Sequence, residues 1–479
     1  MKIKISERYD VNIYFTIKGE ELNMLDEESR NYAINNLKFD SSTNKIYSNL
    51  GPGSQNIILI GLGEAEKVDG NILRLAAFKA AGELNKNNIK EASVHATKIE
   101  GICSRKTVKS IIEGLLQSEY KFDRYLSEKK SNSLERIGLI PLEGKDEAAQ
   151  KAISEVETLV EGINLTRDLV NTPAIDMYPE VLARFATDNL EKYGVKVEVL
   201  GREDIEKLGM KAFLAVAEGS EKEPKFIIMK YLPEGDDKPA ISLVGKGLTY
   251  DSGGYALKPA DGMLTMKMDM AGSASVIGSI YAVAKNKINK NVVGIVAACE
   301  NMISGGAYKN GDIISSMKGS SIEVINTDAE GRLTLADALY YAATKINSEC
   351  IIDIATLTGA CLVGLGEYTT GAITNDEKVF KDIAKSADRS GEYVWLLPSF
   401  PEMRELLKGD FADLKNSTGR FGGTITAGMF LEHFVEDTPW VHLDIAGPAY
   451  NARGWGYLNK GATGIPVKTL YNFVVNASK

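Results

Sequence analysis

Five short runs rich in β-branched and apolar residues, 225–232, 241–244, 292–298, 351–354 and 441–445, read as strands, and helical patterns separate several of them. Strands alternating with helices pair in parallel and bury both sheet faces under the helices. The expected fold is therefore α/β, with a central, mostly parallel sheet flanked by helices. That choice also fixes where chemistry belongs, because open α/β sheets bind ligands in the loops beyond strand ends. Asp251 and Asp269 follow the 241–244 run, and a glycine loop is expected after Lys246.

A chain of 479 residues is too long for one ordinary core. Residues 56–63 read as a buried strand ending in a glycine turn, with a helix following from about 72 to 84, so the chain also begins as α/β. Gly61 and Gly63 form a Gly-x-Gly pair, a weak phosphate-loop signal against which a plain strand-to-helix turn is favoured. Residues 136–142 read as a short strand. The polar run 143–147 then opens a helical pattern with Ile153, Val156, Leu159, Val160, Ile163 and Leu165 at helical spacing, and Pro173 is expected to stop it. The domains expected are 1–147, a linking helix and turn over 148–175, and 176–479.

The second of these domains carries charge that no fold needs. Asp328, Glu330 and Arg332 crowd into five residues beside Gly331, and upstream stand Lys246, Asp251, Lys258 and Asp269. If the four carboxylates converge on one pocket, each pair at 4 Å repels by roughly 4 kcal/mol even at an effective dielectric near 20. Such a cluster needs cations. Two divalent ions match four carboxylates, and carboxylates hold such ions ~3.5 to 4 Å apart for hydrolysis. A two-metal hydrolase is the reading.

These residues fall within motifs whose order and spacing resemble those of the leucine aminopeptidases, cytosolic two-metal exopeptidases. The matching stretches are 244–254, 257–259, 266–270, 326–333, 355–360, 422–428, 439–447 and 461–467. Together the likeness covers roughly residues 160 to 479; it is faint before that, as for a smaller N-terminal α/β domain used for assembly. The resemblance implies that Asp251 and Glu330 each contact both metals, that Asp328 serves one, and that Lys246 and Asp269 serve the other. An ammonium has no lone pair, so Lys246 can ligate only as the neutral amine. It also implies that Lys258 stabilises the oxyanion, that Arg332 holds a bicarbonate relaying the proton, and that two divalent ions are bound per subunit: manganese or zinc, with magnesium or cobalt as alternatives. Met266, Thr356, Gly359 and Ala449 fall near the first-subsite positions, implying an apolar pocket for a leucine-like or methionine-like side chain. Tyr250 stands where many relatives have phenylalanine, and Tyr255 follows the double glycine, so one or two hydroxyls are expected at the pocket edge. Peptides with a free α-amine are the implied substrates, and a homohexamer the implied assembly.

Composition narrows the field. His95, His433 and His442 are too few and too dispersed for a three-histidine zinc site. Cys103, Cys299, Cys350 and Cys361 form no Cys-x-x-Cys pair or disulfide framework and read as core residues in a reducing compartment. The N-terminus lacks an apolar signal core and no apolar run is long enough to span a membrane, so a cytoplasmic location without membrane contact is expected. Residues 1–150 carry 22 basic and 22 acidic residues, so the net charge of -9 falls on 151–479. Basic pairs such as Arg105-Lys106 and Lys129-Lys130 read as solvated, which speaks against nucleic acid as a partner.

Three rivals remain. A two-metal phosphoesterase also wants carboxylates and cations but leaves Lys246 unexplained as a ligand. A carboxypeptidase or dipeptidase needs a group that reads the substrate carboxylate, and the sequence singles none out. A non-catalytic assembly or DNA-binding protein would be expected to have lost a ligand, yet all seven motif residues are present.

Overall fold

The computed structural model describes residues 1–129 and 131–479, so of the basic pair at 129–130 Lys130 lies outside the described residues. The chain forms two compact units, Met1–Val160 with Gly454–Asn459, and Glu161–Arg453 with Lys460–Lys479. The division falls inside a 26-residue helix, Asp146–Asn171. It ends two residues short of Pro173, whose ring disfavours helical backbone at Thr172.

The first unit is built on a six-stranded sheet in the order Lys2–Ile5, Arg136–Ile140, Glu91–His95, Asn12–Ile17, Ile57–Gly63, Ile46–Asn49, with only the last pair antiparallel. Helices Gly70–Lys86 and Ser104–Gln117 pack together, and Arg74 and Glu113 form a buried ion pair at 2.6 Å between them. The Gly61/Gly63 pair opens no phosphate loop. A turn at Ala65–Lys67 intervenes, and Asp69 caps the next helix by accepting from Ile72 N at 2.8 Å, the place an anion would take.

The second unit contains an eight-stranded sheet in the order Tyr393–Leu396, Thr369–Thr374, Trp440–Asp444, Ser348–Ala355, Ala240–Asp251, Val292–Asn301, Lys225–Tyr231, Lys196–Leu200. The middle four strands run parallel; Thr369–Thr374 is antiparallel to its inner neighbour, as are the two strands at the far edge to theirs. Every residue of Ala240–Asp251 except Tyr250 is buried, as expected of a strand covered on both faces.

That strand corrects the sequence reading. It does not stop at 244 before a glycine loop but runs on to Asp251, so Lys246 lies within the sheet and Asp251 is its last residue. The glycines are there for packing. A Cβ at Gly245 would stand 2.6 Å from Ser273 Cα, on the helix Ala271–Lys285, and one at Gly247 would stand 2.8 Å from the Ala297 carbonyl oxygen. Alternation along a strand sends Lys246 to the opposite face from Gly245, where it meets the start of the helix Gly331–Lys345.

Candidate active site

The site forms where three chain segments meet at the strand ends. Lys246 and Asp251 come from the central strand, and Asp269 follows the short turn Met266–Met268. Glu330 is the N-cap residue of Gly331–Lys345, with Asp328 two residues earlier and Arg332 on the first turn. A Cβ at Gly331 would lie 2.5 Å from Lys246 Cε, so a side chain there would displace the end of Lys246.

Lys246 Nζ lies 2.7 Å from Asp269 Oδ2 and 2.9 Å from Glu330 Oε1, and it donates to the Thr356 carbonyl at 3.0 Å. Lys258 Nζ lies 2.9 Å from Asp251 Oδ2 and 2.6 Å from Asp328 Oδ1. Asp251 Oδ1 accepts from Gly253 N and Asn301 Nδ2, both at 2.8 Å. Oxygens of Asp251, Asp328 and Glu330 all lie within 4.8 Å of one another. The structure thus brings together all six of these residues predicted from sequence, and Arg332 lines the same cavity.

Four carboxylates share two ammonium groups here; Lys246, Asp251, Asp269 and Glu330 are buried, and Lys258 and Asp328 are half-buried. Burial, then the charge of Asp251, pushes Glu330 up to about 8, and burial pushes Asp269 up to about 6. Asp328 is also raised, chiefly by burial. Burial works against the charge of Lys246, but Asp269, Glu330 and Asp251 outweigh it and hold the ammonium above its ordinary value; Lys258 is raised in the same way, Asp251 first among its carboxylates.

The donor set fits divalent cations. Glu330 is 1% exposed and its Oε2 has no hydrogen-bond partner among the described residues, an arrangement that costs free energy unless a cation completes it. Oxygen donors with one amine suit manganese, magnesium or zinc. Burial lowers Arg332 to about 10; its Nη1 donates to the Asn416 carbonyl at 2.8 Å while the buried Nε has no partner, which leaves a donor for an anion.

The cavity occupies about 890 Å³ and is lined by Met266, Thr356 and Gly359 among others. Ala449 is not among its lining residues. It is buried, its carbonyl accepting from Thr463 N at 3.1 Å, and Ala446 faces the cavity instead. Nor do the two tyrosines line it. Tyr255 donates its hydroxyl to the Ser304 carbonyl at 2.9 Å, and Tyr250 is half-buried on the strand.

Sequence reasoning missed two residues. Asn301 sits opposite Asp251 in the parallel register, a pairing with no sequence signal. Asp444 accepts from Leu357 N at 3.1 Å and from the Thr358 hydroxyl at 2.6 Å, and its signal was membership of the 439–447 stretch. His442, set aside as a ligand, lies buried with Nδ1 2.6 Å from Asp353 Oδ1.

Comparison with known proteins places this geometry. A model of the cytosol aminopeptidase family's catalytic domain matches residues 164–471, and a model of the same family's N-terminal domain matches 18–129. A Clostridium tetani protein named "Probable cytosol aminopeptidase" is 51% identical over 472 residues, covering 98% of each chain. One of the same name from Treponema denticola is 48% identical, covering 95% of this chain and 94% of its own. Among solved structures, the bottromycin maturation enzyme BotP superposes with a TM-score of 0.88 at 29% identity, over 98% of this chain and 99% of that one; a second structure of it, in complex with Mn, also gives 0.88.

Proposed function

The chain belongs to the cytosol aminopeptidase family and is a peptidase of that family, and from this premise we propose a two-metal aminopeptidase that removes leucine-like or other apolar residues from peptides with a free α-amine. The observation that carries the reading is the convergence of Lys246, Asp251, Asp269, Asp328 and Glu330, with Glu330 Oε2 left unpartnered. Asp251 and Glu330 are assigned to both ions, Asp328 to one, and Lys246 and Asp269 to the other. Manganese or zinc fits these donors best. Such ions, when bound, polarise the scissile carbonyl and activate water.

The chain's own residues supply the rest. Lys258 places a positive charge where the oxyanion develops. Arg332, with its buried Nε unpartnered, would hold a small anion, assigned as bicarbonate, which would supply a base for proton transfer between water and the leaving amine. Asp269 receives the substrate's α-amine, so a blocked N-terminus loses its anchor. Met266, Thr356 and Gly359 bound the pocket for the first side chain. We assign residues 1–147 to assembly into a homohexamer and 176–479 to catalysis, joined by 148–175. The enzyme is assigned to the cytoplasm; no helix among the described residues is long and apolar enough to cross a membrane.

The test is hydrolysis of leucine p-nitroanilide after chelator treatment and again after manganese or zinc is restored, with N-acetyl-leucine p-nitroanilide alongside. Metal-dependent cleavage of the free amine alone is expected. Equal cleavage of the acetylated compound, or none of either with any metal, would remove the reading.

A further inference from the structure

We infer that Arg420 reads the C-terminal carboxylate of short peptides, which makes free-acid di- and tripeptides the favoured substrate class of the proposed aminopeptidase. This rests on the reading of the site given above. Four cationic side chains line the cavity: Lys246, Lys258, Arg332 and Arg420. Three are engaged within the protein. Lys246 and Lys258 each face two carboxylates, and Arg332 is buried against the Asn416 carbonyl. The guanidinium of Arg420 is exposed and takes part in no ion pair or hydrogen bond among the described residues. Among the described residues it is the cavity-lining cation with no partner in the protein, Arg332 keeping only its Nε open.

Its setting suits a peptide terminus rather than a passing solvent ion. Arg420 lies between Gly419, at φ +91°, and the Phe421-Gly422 pair, with Gly422 at φ +63°. Both conformations favour glycine and turn the segment sharply. Phe421, 86% exposed, lines the same cavity beside Arg420. A large bare aromatic next to an unpaired guanidinium offers an apolar side chain and its adjoining carboxylate one platform. Asp269 and Arg420 line the same cavity. A peptide anchored by its α-amine at Asp269 spans at most about 3.3–3.6 Å per residue, and a cavity of about 890 Å³ holds only a few residues. On this assignment the terminal carboxylate of a di- or tripeptide meets Arg420 inside the cavity, whereas that of a long peptide lies outside it. Arginine binds carboxylate through two parallel N–H donors, which distinguishes it from an amide that brings donors of its own.

The experiment compares Leu-Leu with Leu-Leu-amide, and Leu-Leu-Leu with its amide, using the metal-loaded full-length enzyme, its Arg420→Gln variant and its Arg420→Lys variant. In the wild type kcat/KM is expected to favour the free acid by about fivefold, the upper range for a solvent-exposed ion pair. The difference should sit in KM and shrink with added salt. In Arg420→Gln the acid-to-amide ratio should fall to about one, and Arg420→Lys should restore part of it. An unchanged ratio in Arg420→Gln, or no preference for the acid in the wild type, overturns the inference while leaving the aminopeptidase intact. Failure to cleave any of the four peptides with any metal instead overturns the proposed function.

Discussion

Thr358 is tied to Asp444 through its hydroxyl, Oγ1 to Oδ2 at 2.6 Å, where the strands ending at Ala355 and Asp444 lie in register. The same carboxylate accepts from Leu357 N. Between these bonds and the strand stands Thr356, whose carbonyl accepts from Lys246 and whose hydroxyl donates to Asp269 at 2.8 Å. Asp444 thereby holds the loop that orients two of the proposed ligands. Asp444→Ala removes the acceptor of Leu357 N, Ala446 N and the Thr358 hydroxyl, which keeps only Thr424, at about 1–3 kcal/mol for a donor left unpaired, so a lower denaturation midpoint and reduced turnover are expected. Asp444→Asn keeps one acceptor and should recover part of both. An alanine variant as stable and active as wild type would contradict this.

Asp251→Ala and Glu330→Ala should each abolish nearly all turnover, exceeding the roughly 10- to 100-fold typical of losing an outer partner of a metal ligand. Elemental analysis of the purified variants should show less than the wild-type metal content. Full metal content with wild-type activity in either one would end the two-metal assignment.

Lys258→Ala is expected to lower kcat by about 10²–10³, the effect of removing an oxyanion donor, with a much smaller change in KM. Steady-state kinetics on leucine p-nitroanilide separates the two. A change confined to KM would make Lys258 a substrate-binding group only.

Metal binding should release protons. Glu330 at about 8 holds a proton at neutral pH, and Lys246 is held charged by its carboxylates; a cation bound by both displaces those protons. Calorimetric titration of the metal-free enzyme with manganese, in buffers of different ionisation enthalpy, measures the number. Net release at pH 7 is expected, falling by pH 9 as Glu330 ionises beforehand. Absence of release at pH 7 would remove Lys246 and Glu330 from the ligand set.

Asp337 offers a test away from the metals. It is buried and accepts from Phe213 N at 2.9 Å and Met317 N at 2.7 Å, yet burial pushes it up to about 7. A carboxyl raised in the folded state adds stability that is complete below its unfolded value of about 3.9 and is lost as the pH rises to about 7, up to about 4 kcal/mol. Asparagine cannot ionise. Denaturation of wild type and Asp337→Asn between pH 4 and 8 should therefore show the wild type losing ground as pH rises; a constant difference would exclude the shift.

The sequence alone determined the elements, the family and the crowding of charged residues in one domain. Period-2 and period-3.6 patterns are local, so the strands at 225–231, 292–301, 348–355 and 440–444 and the helix before Pro173 were legible to within a few residues. The carboxylate cluster was legible because acidic residues so dense in one domain stand out in the sequence itself. Gly247 misled, reading as a loop after Lys246, because a glycine required by a neighbour's close approach looks in sequence like one required by a turn. Only the tertiary structure decided the rest. The pairing of Asn301 with Asp251, the Asp444 tether, the exclusion of Ala449 from the cavity and the unpaired state of Arg420 all depend on which segments lie side by side. Partners 50 to 90 residues apart leave no periodicity in a chain, and contact between them is settled by how the sheet and helices pack.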